Sequence, residues 1–112
     1  GKTSFFKKFF KREDLENKVI RTVEDAYKSF SDDALRILRA IRFATILDFK
    51  LSDEVVDAIK KTKNLVRNLS YYRKKSELDK IFTSSNRKLG VSLLLEFGLD
   101  EVLELPNLSK IF

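Results

Sequence analysis

The sequence predicts an all-α fold, a bundle of about four to five helices behind a short irregular or β N-terminal piece. Three observations predict it. Apolar residues make up 43% and charged residues 36%, the balance of a globular domain rather than a disordered tail. Only three Gly and one Pro interrupt 112 residues, too few for a loop-rich all-β fold. From Ser31 onward, N-cap residues recur, each followed by apolar positions at helical spacing. A chain of this length suits one small domain and can bury roughly two-thirds of its unfolded surface.

Residues 1–12 alternate aromatic pairs (Phe5-Phe6, Phe9-Phe10) with lysines. That pattern is open to an edge strand, a helix start or a membrane-touching segment. Asp14 to Lys18 reads as a polar turn or short helix. Val19-Ile20-Arg21-Thr22-Val23 is the one run with a strong β bias. Ser31 is a good N-cap, with Asp32 and Asp33 in a first turn where the helix dipole favours carboxylates. This first helix is expected to run to about Asp48. Ser52 caps a second helix, with Asp53 and Glu54 in its first turn. Val55, Val56, Ile59 and Val66 give it an apolar stripe, broken by Lys63. Ser70 caps a third, with Tyr71, Leu78, Ile81 and Phe82 as apolar candidates. A fourth runs from about Asn86 to Phe97 through Leu89, Leu93 and Leu94, and stops at Gly98. A short fifth, about 99–104, ends before Pro106.

Missing residue types exclude several chemistries. The chain has no His, Cys, Met or Trp. It can build no imidazole base, no Ser/His/Asp triad, no thiol nucleophile, no disulfide and no Cys/His zinc site. Three scattered glycines exclude a Gly-rich phosphate loop. No apolar run approaches the ~20 residues of a membrane span, so no membrane partner is expected. The charged start is too short for a secretory signal.

Charge is unevenly placed. The net charge is +6, from 23 basic and 17 acidic residues. Residues 1–12 hold Lys2, Lys7, Lys8, Lys11 and Arg12 without an acid. Residues 60–75 hold Lys60, Lys61, Lys63, Arg67, Arg73, Lys74 and Lys75, again without an acid. Glu96, Asp100, Glu101 and Glu104 then cluster near the end. A basic side attracts phosphate backbones; a solvated face that keeps the protein soluble produces the same pattern.

The first helix carries an anomaly. Residues 34–47 are apolar around nearly the whole circumference, yet Arg36, Arg39 and Arg42 recur every third residue. Asp33 lies three residues before Arg36, on a neighbouring part of the surface. Each guanidinium stays charged and has five donors, so three of them need several acceptors. The carboxylates near in sequence are Asp32, Asp33 and Asp48. An external anion or a base edge would satisfy the remainder, since arginine with aspartate offers the donor and acceptor sets that read nucleobases. Local salt bridges and snorkelling arginine stems are the plainer account.

The segment Asp14-Leu15 … Ile20-Arg21-Thr22-Val23 … Phe30-Ser31-Asp32-Asp33-Ala34-Leu35-Arg36-Ile37-Leu38-Arg39-Ala40-Ile41-Arg42-Phe43-Ala44, followed by Phe49, resembles class II CCA-adding tRNA nucleotidyltransferases and bacterial poly(A) polymerases. The likeness continues through Leu69-Ser70, Arg73, Glu77-Leu78, Ile81-Phe82, Asn86 and Leu93 to Leu99, covering about residues 14–106. It is most specific in the Asp-Asp, Leu-Arg, Leu-Arg and Ile-Arg-Phe core. The resemblance implies a connector from the head domain over 1–30, a neck with the nucleotide-selecting helix over 31–82, and the truncated start of the body over 83–112. It implies that Asp33 and Arg36 contact the Watson–Crick edge of CTP or ATP, and that Arg39 and Arg42 belong to the same surface, reaching toward phosphate. It assigns Lys60, Lys61, Lys63, Arg67, Arg73, Lys74 and Lys75 to the backbone of the tRNA acceptor end. Tyr71 and Tyr72 are candidates to stack on a base, or else core or rim; Arg73 and Glu77, one turn apart, are expected to pair with each other. Two departures stand out. Asp32 replaces the family's Glu, and the glycine pair before Asp-Leu is absent, with Lys11-Arg12 near its place. The catalytic head, with its metal-binding carboxylates, has no counterpart. The chain therefore reads as a fragment, inactive alone, of a cytoplasmic enzyme that uses Mg²⁺ and a head domain of its own.

Overall fold

The computed structural model describes residues 16–22 and 24–105. The readings of residues 1–12, of Asp14-Leu15, of Val23 and of the stop at Pro106 lie outside the described residues. Within them the fold is all-α, with one two-stranded parallel sheet. The elements are β1 (Val19–Ile20), α1 (Ala26–Asp32), α2 (Leu35–Leu47), β2 (Lys50–Leu51), α3 (Asp53–Thr62), a 3₁₀ helix (Lys63–Asn68), α4 (Tyr71–Phe82), α5 (Arg87–Glu96) and α6 (Leu99–Val102).

The β-biased run does form a strand, but its partner β2 was not expected. Val19 pairs with Lys50 and Ile20 with Leu51. The α1–α2 pair is thus the crossover between two parallel strands, which ties the start of α1 and the end of α2 to one place.

The single helix expected from Ser31 to Asp48 is two helices. Asp25 caps α1 by accepting from the Lys28 amide, so helix begins well before Ser31. Ser31 is not a cap; it sits in the last turn of α1, and its hydroxyl donates to the Tyr27 carbonyl. The break is at Asp33, whose backbone is extended (φ −150°, ψ 101°). Its Oδ1 accepts from the Leu35 amide at 3.1 Å. A carboxylate that satisfies the orphan amides of a new helix start stabilises the break that an apolar run alone does not foretell.

α2 is the centre of the fold. It packs against α1, α4, α5 and both strands. Ile37, Leu38, Ala40, Ile41 and Ala44 are wholly buried along it, joined by Phe30, Ile59, Ile81, Leu94 and Leu99 from the surrounding helices. It ends at Asp48 in the left-handed conformation (φ 55°), close to the expected place.

Beyond α2 the expected elements mostly appear where the caps put them. Ser52 accepts from the Val55 amide and Ser70 from the Arg73 amide. Gly98 (φ 71°) separates α5 from α6, a positive φ that glycine adopts at no steric cost. Two differences remain. The stretch from Lys63 to Asn68 is a 3₁₀ helix between α3 and α4. Tyr71, expected on the apolar side of α4, faces solvent; the inward residues are Glu77, Leu78 and Ile81. The Ser52 cap gives a first prediction. Ser52→Ala should lower stability by about 1 kcal/mol, seen as a fall in melting temperature of roughly 5 °C.

Candidate functional site

The site is built where α1 turns into α2 and the first turns of α4 come alongside. Asp33 and Arg36 lie at the start of α2, joined through the backbone by the Arg36 amide donating to the Asp33 carbonyl (3.1 Å). Their side chains do not pair with each other. Arg36 Nη1 donates back to α1, to the Ser29 carbonyl (3.2 Å) and to Ser29 Oγ (3.1 Å). Among the described residues its Nε and Nη2 donate to nothing. Asp33 faces α4 instead: Arg73 Nη2 donates to Oδ1 at 3.3 Å and to Oδ2 at 3.2 Å. Both partners of this pair are partly solvated. Such pairs contribute roughly 0–1 kcal/mol, so little holds Arg73 on Asp33.

One and two turns further on, the geometry is different. Arg39 Nε lies 3.1 Å from Glu77 Oε1, and Arg42 Nη1 lies 2.8 Å from Glu77 Oε2. Glu77 is only 3% exposed. The Arg42 contact is close but poorly aligned for a hydrogen bond, so Oε2 is held by charge rather than by a directed N–H. The Arg42 guanidinium also sits 4.8 Å from the centre of the Phe43 ring. Burial lowers the pKa of Arg42 from its ordinary value; Glu77 opposes that and Arg39 adds to it. The group stays cationic, and Glu77 is what allows it to be buried.

This corrects the expected Arg73–Glu77 pair. Residues four apart on α4 point to different partners: Arg73 to Asp33 and Glu77 to the two arginines. Ser29 and Glu77 are therefore among the acceptors of the arginine row, and neither is one of the carboxylates near it in sequence. A signal for Glu77 existed. It lies four residues before Ile81 on the inward stripe of α4, a carboxylate that needs a cation just as the arginines need an anion.

The basic block from residue 60 to 75 is not one continuous face of uncommitted charge. Lys60 and Arg67 are exposed, and Lys74 is half-buried. Lys61 pairs with Asp57 at 3.0 Å and Lys75 with Asp79 at 2.8 Å, both one turn apart on the same helix. The hydrogen bond to Asp79 raises the pKa of Lys75. Lys63 is turned inward, where its ammonium donates to the Phe97 carbonyl at the end of α5. Among the described residues no three His, Cys, Asp or Glu side chains converge into a metal-ligand set.

Residues 48–111 match the family model described as the probable RNA and SrmB-binding site of polymerase A. The chain belongs to this family. A CCA-adding enzyme of Streptococcus uberis is 44% identical to this member over 89 residues, which are 80% of the chain and 22% of that enzyme. The crystal structure of the Bacillus stearothermophilus CCA-adding enzyme in complex with CTP superposes with a TM-score of 0.78 at 35% identity, covering 81% of this chain and 23% of that one. The Thermotoga maritima CCA-adding enzyme complexed with tRNA gives 0.75 at 30% identity, over 81% of this chain and 22% of that one. The chain thus spans about a fifth of the length of the relatives it matches. No helix among its described residues is long and apolar enough to cross a membrane.

Proposed function

We propose that this chain is the nucleotide-selecting and tRNA-binding segment of a template-independent nucleotidyltransferase that adds CCA to tRNA 3′ ends from CTP and ATP. The observation that carries this reading is the pair Asp33 and Arg36, both half-buried at the start of α2, an acceptor and a donor three residues apart. Names of the relatives agree with it: CCA-adding enzymes recur among them, and solved neighbours are complexes with CTP, ATP and tRNA.

The chemistry follows from spare hydrogen-bonding capacity. A carboxylate has about four lone-pair sites. The Leu35 amide and Arg73 occupy both on Oδ1 and one on Oδ2 of Asp33, which leaves one on Oδ2. Arg36 keeps its Nε and Nη2 donors. Cytosine and adenine both present an exocyclic amine beside an unprotonated ring nitrogen; uracil and guanine present a carbonyl beside a ring N–H. Asp33 accepts from the amine and Arg36 donates to the ring nitrogen, so one pair of side chains admits two bases and rejects two. Arg39 keeps a third of its side-chain surface open and can reach phosphate, whereas Arg42, 13% open, serves from behind by holding Glu77.

In this reading residues 31–82 are the neck, residues 83–112 begin the body, and residues 1–30 lead from a head domain. Lys60, Arg67, Arg73 and Lys74, with Lys61 and Lys75, face the acceptor end, while Lys63, turned inward, holds the end of α5. Nucleotidyl transfer needs carboxylates that hold Mg²⁺ against the triphosphate. No three such side chains converge among the described residues; in this reading the metal belongs to the head of a cytoplasmic enzyme, and the chain alone is inactive. A second reading keeps the site and changes the product to a poly(A) tail; the family description, which names polymerase A, favours it.

An NMR titration of the chain with each of the four nucleotides tests the proposal. CTP and ATP should shift the amides of Asp33 to Arg42, and Arg36→Ala should abolish those shifts. Asp33→Ala should weaken both nucleotides by roughly tenfold or more, the loss of one charge-assisted hydrogen bond. Equal shifts from UTP and GTP would overturn the reading, and a response to ATP without CTP would move it to poly(A) addition.

A further inference from the structure

Tyr71 and Tyr72 are the most exposed large hydrophobic side chains among the described residues, at 69% and 83%. Neither belongs to the core. Their ring centroids are 6.2 Å apart and their planes cross at 72°, an edge-to-face pair. Such a pair restrains both rings without burying them, so it presents an ordered aromatic corner to solvent. Contiguous exposed aromatic surface is a feature of interaction sites.

The surroundings say what it binds. The next residues along α4 are Arg73, Lys74 and Lys75, and the first turn of the helix holds no acid. Exposed Arg67 lies just before, in the 3₁₀ helix. The carboxylates of α4, and Asp33, are engaged: Asp33 by Arg73, Asp79 by Lys75, and Glu77 by Arg39 and Arg42. An aromatic platform beside cations suits a nucleobase and its phosphate, because every base has a π-face and stacking tolerates any sequence. Its place is specific too. Arg73 follows Tyr72 directly and reaches Asp33 at 3.2 Å.

We propose that Tyr71 and Tyr72 form a stacking corner for the unpaired 3′-terminal base of an RNA primer, beside the place where Asp33 and Arg36 read the incoming base. The inference rests on the proposed nucleotide- and RNA-binding function. Tyr72, the more exposed, supplies the stacking face, and Tyr71 braces it.

The chain reports on its own corner, since it has three Tyr and no Trp. Two RNA hairpins serve as probes, one with a two-nucleotide unpaired 3′ extension and one blunt-ended, each titrated by tyrosine fluorescence and, for the variants, by anisotropy of a labelled RNA. The extended hairpin should quench tyrosine emission and the blunt one should not. Tyr72→Ala should weaken the extended hairpin roughly tenfold and leave the blunt hairpin unchanged. Tyr72→Phe should bind like the original chain, because a ring without its hydroxyl still stacks. The salt dependence should not change, because no phosphate contact is lost. Equal weakening of both hairpins by Tyr72→Ala, or no weakening of either, overturns the corner while RNA binding stands. Failure of the unaltered chain to bind either hairpin overturns the corner and the RNA-binding reading together.

Discussion

Glu77→Ala should lower the stability of the chain by roughly 3–5 kcal/mol, a fall in melting temperature of more than ~10 °C. The size comes from what the variant leaves behind. Arg39 and Arg42 lie one turn apart on α2, and Glu77 is the acid that faces both. Arg42 is nearly enclosed, and a guanidinium cannot shed its charge to escape. Without Glu77, burial and repulsion from Arg39 both act on it unopposed. Glu77→Gln should cost nearly as much, since it keeps the shape and removes the charge. Changing Arg39, Arg42 and Glu77 together to Met should restore most of the loss, because an apolar triad carries no desolvation cost. Urea unfolding of the three proteins measures this. If the triple variant were as unstable as Glu77→Ala, packing rather than charge would be the cause.

That triad also shows where reading the sequence stopped. The caps at Ser52 and Ser70, the stop at Gly98 and the buried stripe of α2 were legible because each depends on residues within one or two turns. Spacing singles out the arginine row, and the family resemblance picks Asp33 and Arg36 from it; both stand at the start of α2. What spacing could not give was the acceptors. Glu77 is 38 residues from Arg39, and Ser29 was hidden because α1 itself was missed. The helix break at Asp33 was illegible for a related reason. Ser31, Asp32 and Asp33 are all good cap residues, and choosing among them depends on α1 packing against α3. Strand β2 has two residues and exists only because β1 lies beside it.

Gly90→Ala sets two local effects against each other, and the packing effect should win by roughly 1–3 kcal/mol. Glycine inside a helix costs about 1 kcal/mol relative to alanine, so propensity alone predicts a more stable α5. The crossing with α2 and α4 forbids it. A Cβ at Gly90 would lie 2.4 Å from Ile81 Cγ2 and 2.8 Å from Thr45 Oγ1. Neither neighbour can turn aside. Both are fully buried, and β-branching stiffens χ1 in each. Thr45 is held further by the bond from its hydroxyl to the Ile41 carbonyl at 2.7 Å. The added methyl must therefore push α5 away from the two helices that carry Asp33, Arg36 and Arg73. A thermal melt of Gly90→Ala gives the sign. The mechanism is tested by Ile81→Leu, which removes the methyl in the way while keeping side-chain volume. Made together, the two changes should cost about 1 kcal/mol less than the sum of their separate costs. Strict additivity would mean that Thr45, or the helix backbone itself, is what keeps position 90 a glycine.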